Sequence, residues 1–174
     1  VRNRSTHTPR EMPSDTPLWQ PEANRIASSN MKRFMDFAEE ETGKAFPDYD
    51  ALYHWSVDQK ETFWSMLWDF CGVIGEKGER ILVNGETIEK AAWFPDASLN
   101  FAENLLRRND DAIAIHFRAE DRVERSMSWK ELNRQVACVA DWLARQGVGP
   151  GDRVAGYVAN MPEAVVAILA TASL

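Results

Sequence analysis

Histidine and cysteine, which build most metal centres and disulfide frameworks, are scarce in this sequence. Its 174 residues include three His and two Cys. His7, His54 and His116 share no spacing typical of metal ligands, which predicts a structural or surface role for each of them. Cys71 and Cys138 lie far apart beside apolar helical stripes. We therefore expect two buried thiols in a reducing compartment rather than a disulfide.

Basic clusters and membrane-directing segments are also missing. Residues 1–17 contain no apolar core, so they are neither a secretory signal nor a membrane span. The net charge is −7, and no basic cluster extends beyond the pair Arg107 and Arg108, which argues against a nucleic-acid partner. With 44% hydrophobic and 27% charged residues, the composition is that of an ordinary soluble protein. We expect a cytoplasmic protein without a membrane or nucleic-acid partner.

The common phosphate-binding and nucleophile motifs are absent: there is no GxGxxG, Walker loop, GxSxG or HExxH. The Gly-rich loop at 149–151 precedes a predicted strand instead of a helix N-terminus, so we interpret it as a connection. The acidic pairs at 110–111 and 120–121 lie in turn-like polar surroundings, where neither burial nor a charge partner shifts their pKa values toward catalytic use. We predict no catalytic, cofactor-binding or metal-binding residue in these 174 residues.

Patterning divides the chain into three parts. Residues 1–17 are predicted to be a flexible leader, residues 18–110 a helical region, and residues 111–174 the start of a further, incomplete domain. Four helices are predicted in the helical region: from Pro21 to Gly43, from Asp48 or Tyr49, from a capping box at Ser56 and Gln59, and from Phe101 to about Arg108. A tight hairpin around Asn84-Gly85 is predicted over 81–88. Most of the seven Trp continue helical apolar stripes, which favours core packing over a ligand platform.

The last part carries the most regular signals. Residues 112–118 and 123–127 flank a charged turn at 120–122 and predict an antiparallel pair. A helix then begins at a capping box formed by Ser128 and Glu131 and ends at Gly147. A buried strand is predicted over 153–158, followed by a helix from Pro162 with Asn160 as its cap.

This last predicted helix is apolar on all sides, and no Gly, Asn or basic residue ends it before Leu174. We expect it to be cut within a larger domain. Its surface and a sheet edge at 153–158 would then be exposed here, with self-association of the fragment as a consequence.

Three short segments carry a resemblance to a known superfamily. SWKEL at 128–132, GVGPGDRV at 147–154 and NMPEA at 160–164 together resemble the opening of the AMP-binding domain of adenylate-forming enzymes, which include the acyl-CoA synthetases. Residues 30–73 and the run WFPDASLNFAENLL resemble the branch that activates acetoacetate. Acetyl- and propionyl-CoA synthetases usually continue this run into Asp-Arg-His, whereas residues 107–109 read Arg-Arg-Asn.

The resemblance implies an α/β fold, with an N-terminal helical cap and the first strands and helices of the large AMP-binding domain, truncated. It implies an enzyme that joins acetoacetate to the α-phosphate of ATP with Mg²⁺ and passes the acyl group to coenzyme A. The catalytic elements of such enzymes lie downstream of this chain, so the fragment itself is expected to be inactive. The alternatives are another short- or medium-chain acyl-CoA synthetase and a non-catalytic interaction module of the same fold.

Overall fold

The computed structural model describes residues 19–120 and 123–174. The predicted leader, with His7, lies outside the described residues, as do Asp121 and Arg122 of the charged turn. The chain divides into two compact units, Val1–Asp58 and Gln59–Leu174. The three-part division drawn from the sequence stays a prediction.

The described part of the first unit contains the helices α1 (Ala23–Ala27), α2 (Asn30–Thr42) and α3 (Tyr49–Asp58). The single helix predicted between Pro21 and Gly43 is therefore wrong. Ser29 divides it, because its Oγ accepts a hydrogen bond from the Lys32 N–H at 3.1 Å and caps α2. Gly43 does end α2 as predicted, in the left-handed conformation with φ 67°.

The described core of the first unit includes an aromatic contact between two buried side chains. Phe46, in the connection after α2, and Trp55 of α3 are both buried, and their ring centroids lie 5.0 Å apart. The other buried apolar residues of this unit are Phe34, Met35, Ala38 and Leu52. The start of α3 at Tyr49 is confirmed, with the Asp48 carboxylate accepting a hydrogen bond from the Ala51 N–H at 2.8 Å.

The second unit opens with α4 (Lys60–Phe70). The start predicted at Ser56 is wrong, because the Ser56 Oγ donates to the Tyr53 carbonyl oxygen at 2.7 Å inside α3. Gln59 precedes α4 without a side-chain cap. Ser56 therefore lies within α3 instead of beginning the next helix.

A hairpin follows, and its connection is longer than predicted. β1 (Leu82–Val83) pairs antiparallel with β2 (Ala92–Trp93). A tight turn at Asn84-Gly85 would make residues 86–88 the returning strand, yet Ile88 is 93% exposed. Trp93 packs on Trp64 of α4 instead, with ring centroids 5.5 Å apart, so aromatic packing places the returning strand at β2.

Asn100 links α5 (Phe101–Leu105), which is shorter than predicted, to a distant helix end. Its Oδ1 accepts a hydrogen bond from the Glu103 N–H at 3.0 Å and caps α5. Its Nδ2 donates to the Ala172 carbonyl oxygen at 2.9 Å. One side chain therefore binds the start of α5 and the last turn of a helix 72 positions away.

The predicted strand pair and the helix after it are confirmed. β3 (Ile113–Arg118) and β4 (Glu124–Ser128) pair antiparallel, and α6 (Trp129–Arg145) follows directly. The Ser128 Oγ accepts a hydrogen bond from the Glu131 N–H at 3.2 Å, as an N-cap does. Gly147 follows α6 in the left-handed conformation, with φ 87°.

The strand predicted over 153–158 is wrong. All six of these residues are exposed, and none belongs to a strand. A strand needs a neighbour to satisfy its backbone groups, and the described residues provide none beside this segment. The helix predicted next is present as α7 (Pro162–Ala172), but its N-cap residue is Met161, not Asn160, and no side chain caps it.

The core of the second unit lies between α6 and α7. Its buried members are Ala102, Met127, Leu132, Val136, Leu143, Val166, Leu169 and Ala170. The predicted burial of both thiols is wrong, because Cys71 and Cys138 are exposed and free. Cys138 lies two positions beyond buried Val136, which turns it about 200° around α6 and away from the core.

Candidate functional site

The Gly-rich loop between α6 and residue 153 is closed by the side chain of Asp152. The Gly149 N–H donates to the Asp152 carboxylate at 2.9 Å, and the Asp152 N–H donates to the Gly149 carbonyl oxygen at 3.1 Å. A phosphate cradle needs free, converging N–H groups. Here a carboxylate already occupies one of them, so the loop functions as a turn.

The helix N-termini are also unsuited to the phosphates of a nucleotide. An acidic residue lies in the first turn of each helix from α3 to α7: Asp50, Glu61, Glu103, Glu131 and Glu163. In addition, α7 begins at Pro162, which has no N–H to donate. Negative charge at a helix N-terminus satisfies the helix dipole and repels a second anion. These helix starts therefore do not fit ATP.

Several surface carboxylates are held in the ionised form by arginine. Hydrogen bonds from Arg134 and Gln135 lower the pKa of Glu131 to about 2. Hydrogen bonds from the Arg108 guanidinium, at 3.0 and 3.1 Å, lower the pKa of Asp110. The expectation that Asp110 lacks a charge partner is therefore wrong. A general acid needs a raised pKa, so neither carboxylate is suited to that role.

One ion pair joins the strand pair to α7. The Arg125 guanidinium donates two hydrogen bonds to the Glu163 carboxylate, at 2.8 and 3.0 Å, and these bonds lower the pKa of Glu163. Both side chains are about half exposed. The contact therefore orients α7 against β4 while contributing modestly to stability.

The stability contributed by this pair should disappear in acid. Because the pKa of Glu163 is lowered from 4.5, the contribution is fully present above pH 4.5 and is lost as the pH falls through the lowered pKa. Glu163→Gln should therefore lower the unfolding temperature slightly at neutral pH and have no effect at the acid end of the transition. Glu103→Gln is the control. Glu103 also lies in the first turn of a helix, α5, but its carboxylate forms no ion pair with an arginine of the described residues. An unchanged Glu163→Gln deficit in acid would contradict this assignment.

The described residues offer neither a metal site nor a membrane span. Residues 19–120 and 123–174 contain no group of three or more His, Cys, Asp or Glu that could hold a metal ion. Nor does any helix in these ranges have the length and apolarity to cross a membrane. His54 Nδ1 lies 2.7 Å from the Asp50 carbonyl oxygen, and His116 Nδ1 lies 3.0 Å from the Ser126 Oγ.

The tryptophans are less buried than predicted. Among the described residues Trp55 alone is buried, whereas Trp19, Trp64, Trp93 and Trp142 are each at least 40% exposed. The core assignment is therefore wrong for these four side chains. Trp64 and Trp93 shield each other, and Trp68 packs on Phe94 with ring centroids 5.0 Å apart.

One feature of the second unit that could receive another group is an apolar groove. It lies between residues 154–158 and α7 and has a volume of about 480 Å³. Its lining is apolar or small apart from one threonine: Val154, Ala155, Gly156, Val158, Ala164, Ala167, Ile168, Thr171 and Ala172. The all-round apolarity of α7 in the sequence predicts an uncovered surface here, whereas the strand predicted for its other wall is wrong.

The groove contains no group suited to catalysis. Among its described lining residues, the side chain of Thr171 is the single polar one, and its Oγ donates to the Ala167 carbonyl oxygen at 2.8 Å. It therefore resembles an uncovered packing surface more than a substrate pocket. Ile168 illustrates this, because it is 64% exposed while its neighbour Leu169 is buried in the core.

Two enzyme families and several acyl-CoA synthetases are similar to this chain. The AMP-binding enzyme family matches residues 101–174, and the family described as acetyl-coenzyme A synthetase N-terminus matches residues 49–105. An acetoacetyl-coenzyme A synthetase from Rhizobium meliloti (strain 1021) is 45% identical over 163 residues, which cover 94% of this chain. This chain is similar to the N-terminal part of such synthetases. The superfamily identified from the short sequence segments is thereby confirmed.

Two further relatives and one solved structure also match most of this chain. An acetoacetyl-CoA synthetase from Rattus norvegicus is 36% identical, and a malonamoyl-CoA synthetase from Penicillium aethiopicum is 35% identical, each over 90% of this chain. The solved acetoacetyl-CoA synthetase from Streptomyces lividans matches 90% of this chain with a TM-score of 0.80 and 44% identity. This match confirms the predicted fold class, an α/β chain corresponding to the N-terminal part of such an enzyme.

The chain is much shorter than the relatives and the solved structure that it matches. It covers 25% of the Rhizobium meliloti protein and 25% of the Streptomyces lividans chain. The chain therefore spans about a quarter of the length of the curated relatives that it matches.

Proposed function

We propose that this chain is the N-terminal quarter of an ATP-dependent, AMP-forming acid–CoA ligase, and that the acid is acetoacetate. The observation that carries the proposal is the 45% identity to an acetoacetyl-coenzyme A synthetase along 94% of this chain. The similarity includes both the helical region and the start of the AMP-binding part, since the two family matches together extend from residue 49 to residue 174. A cytoplasmic location is part of the proposal.

The proposed reaction has two balanced steps. A carboxylate oxygen of the acid attacks the α-phosphorus of ATP, and pyrophosphate leaves. The thiolate of coenzyme A then attacks the acyl carbon, and AMP leaves. Both reactants of the first step are anions, so the site needs Mg²⁺ and fixed donors that stabilise the developing negative charge.

The described residues do not fit that requirement. Their helix starts carry acidic first turns from α3 to α7, and their Gly-rich loop is closed by Asp152. The role proposed for this chain is therefore structural. Its α6–α7 core provides a packed layer on which the catalytic part of a longer protein is built.

The acid specificity can be tested in a chain of the relatives' length. Pyrophosphate release would be measured with ATP, Mg²⁺, coenzyme A and one acid at a time: acetoacetate, acetate, propionate or malonamate. We expect acetoacetate to give the highest kcat/KM, by at least about tenfold, because a missing polar contact or methylene in a substrate pocket costs about that factor or more.

The other outcomes separate the alternatives. Preference for malonamate would assign the activity of the 35% identical Penicillium aethiopicum relative and overturn acetoacetate as substrate. Preference for acetate or propionate would place the protein with another short-chain synthetase. Release of pyrophosphate with none of the four acids, from a folded protein, would favour a non-catalytic interaction module.

A further inference from the structure

The dipeptide Asn84-Gly85 lies directly after β1, at the start of the connection to β2. Asn84 is exposed and has φ 57°, and Phe94 is the only other non-glycine residue with a positive φ among those that the structure describes. Neither the Asn84 carboxamide nor the Gly85 N–H forms a hydrogen bond to another described residue. The two groups are therefore adjacent in the chain and are not held apart by other contacts.

The local packing favours this pair of residues. The left-handed conformation at position 84 suits an asparagine better than most other side chains. A Cβ added at Gly85 would lie 2.4 Å from Leu82 Cδ2, so a side chain at position 85 would displace that of Leu82. Leu82 belongs to β1 and is paired with Trp93 of β2. An asparagine followed by a glycine therefore fits the backbone and the packing at this point.

An asparagine followed by a glycine can lose its amide in an intramolecular reaction. The Gly85 nitrogen loses its proton and attacks Cγ of Asn84, the new N–Cγ bond closes a five-membered succinimide, and the Cγ–NH₂ bond breaks to release ammonia. Water then opens the ring at either carbonyl carbon, which gives aspartate or isoaspartate. The reaction needs only water and base, and its rate depends on how readily the nitrogen approaches Cγ.

We propose that Asn84 is a site of spontaneous deamidation, whose side chain converts with time to a mixture of isoaspartate and aspartate. Gly85 has no side chain to block the approach, and no hydrogen bond to a described residue holds its N–H. The Asn84 carboxamide likewise has no hydrogen-bond partner in the described part of the chain. This inference goes beyond the proposed function and does not depend on it.

The ends of the connection are held, so the reaction leaves the hairpin in place. Trp93 packs on Trp64 and Phe94 on Trp68, with ring centroids 5.5 and 5.0 Å apart, respectively. Isoaspartate adds one carbon to the backbone, and the exposed residues 86–90 have room to accommodate it. We expect unchanged tryptophan fluorescence in a protein that has gained one negative charge beyond its net charge of −7.

Other asparagines provide matched comparisons within the same molecule. Asn100 Nδ2 donates to the Ala172 carbonyl oxygen at 2.9 Å, so its amide is held. Asn109 is exposed like Asn84, but it is followed by Asp110 instead of a glycine. Asn100 therefore tests the effect of a restrained amide, and Asn109 tests exposure without the glycine.

Peptide mapping of the aged protein tests the proposal directly. The chain of 174 residues and the chain extended to the relatives' length would be incubated at neutral pH and digested. Mass spectrometry would detect the exchange of NH₂ for OH, and enzymatic methylation of isoaspartyl carboxylates would detect the isomer. We expect conversion at Asn84 to be at least about tenfold faster than at Asn109 or Asn100, a difference in barrier of about 1.4 kcal/mol.

A synthetic peptide of residues 80–90 serves as the unfolded reference. The folded protein should convert within about tenfold of the rate of this peptide, because an exposed connection opens locally at little cost in free energy. Conversion at Asn84 that is no faster than at Asn109 would overturn the proposal. So would conversion confined to the short chain, because the rest of the protein would then protect the dipeptide.

Asn84→Gly provides a second, independent test, with Asn109→Gly as its matched control. Glycine accepts the left-handed conformation at position 84 and has no amide to lose, and both positions are exposed. Both variants should unfold within about 2 °C of wild type, as exposed substitutions do. Asn84→Gly should abolish the isoaspartate and the acidic species on ion exchange, whereas Asn109→Gly should leave both unchanged. Persistence of the isoaspartate in Asn84→Gly would refute the assignment.

Discussion

Leu169→Ala is expected to lower the free energy of unfolding of the second unit by about 3 kcal/mol, within the usual range of 2–5 kcal/mol for a buried leucine. Leu169 is 2% exposed and lies in the core formed mainly by α6, α7 and β4. Its removal leaves a cavity among neighbours such as Val136 and Leu143, which are fixed on α6. Urea unfolding monitored by circular dichroism would measure the change.

Ile168→Ala is the matched control for this prediction. It removes a similar volume from the adjacent position, but Ile168 is 64% exposed and faces the groove. We expect a change below about 0.5 kcal/mol in the short chain, as for an exposed position. Equal losses for the two variants would show that the core does not lie on the Leu169 face of α7.

Gly78→Ala is the second change with a large expected effect, about 2–4 kcal/mol, because it combines backbone strain with overlap. Gly78 has φ +76°, and a Cβ there would lie 2.6 Å from Asp96 Cβ and 2.9 Å from the Asp96 carbonyl carbon. Asp96 cannot easily move away, since the Arg80 Nε donates to its carboxylate at 2.8 Å. The hairpin containing β1 and β2 should therefore separate locally. Trp93 of β2 packs on Trp64 of α4, so tryptophan fluorescence should report the change.

Gly147→Ala separates strain from overlap. Gly147 has a similar φ, +87°, but an added Cβ would have nothing within 4 Å. We expect a loss of about 1 kcal/mol, from the left-handed backbone alone. If both variants lost the same amount, the close approach of residues 78 and 96 would not be present in solution.

Elements set by short-range chemistry could be predicted from the sequence. Ser128 caps α6, Gly43 and Gly147 end helices with positive φ, and the paired strands around residues 113–128 follow from their local pattern. In each case the deciding group lies within a few residues of the element that it controls. Ser29 shows the limit, because a serine inside a helical pattern gives no sign of whether it continues the helix or caps a new one.

Features set by distant contacts could not be predicted in the same way. The turn signal at Asn84-Gly85 is strong, yet Trp64 of α4 determines the partner strand by packing on Trp93. The position of Asn100 indicates a cap of α5. Its second hydrogen bond, to the Ala172 carbonyl oxygen, joins residues 72 positions apart, and no local pattern indicates it. The strand over 153–158 has the right composition, but a strand forms only when a neighbour satisfies its backbone.

In the candidate site, too, features that depend on nearby residues could be predicted and those that depend on distant contacts could not. The lack of nucleotide-binding motifs is visible in the sequence, but the side chain that closes the loop at 149–152 is not, because it depends on the fold of that loop. The uncovered face of α7 was also foreseeable from its apolar sequence. The geometry of the groove was not, because it depends on where residues 154–158 lie beside α7.

The most direct test of the central claim is a pyrophosphate-release assay on two proteins side by side. One is the chain of 174 residues, and the other is the chain extended to the relatives' length. With ATP, Mg²⁺, acetoacetate and coenzyme A, we expect release by the extended chain and none above background by the short chain. Turnover by the short chain alone would contradict the claim that this quarter of the protein supports the catalytic site without containing it.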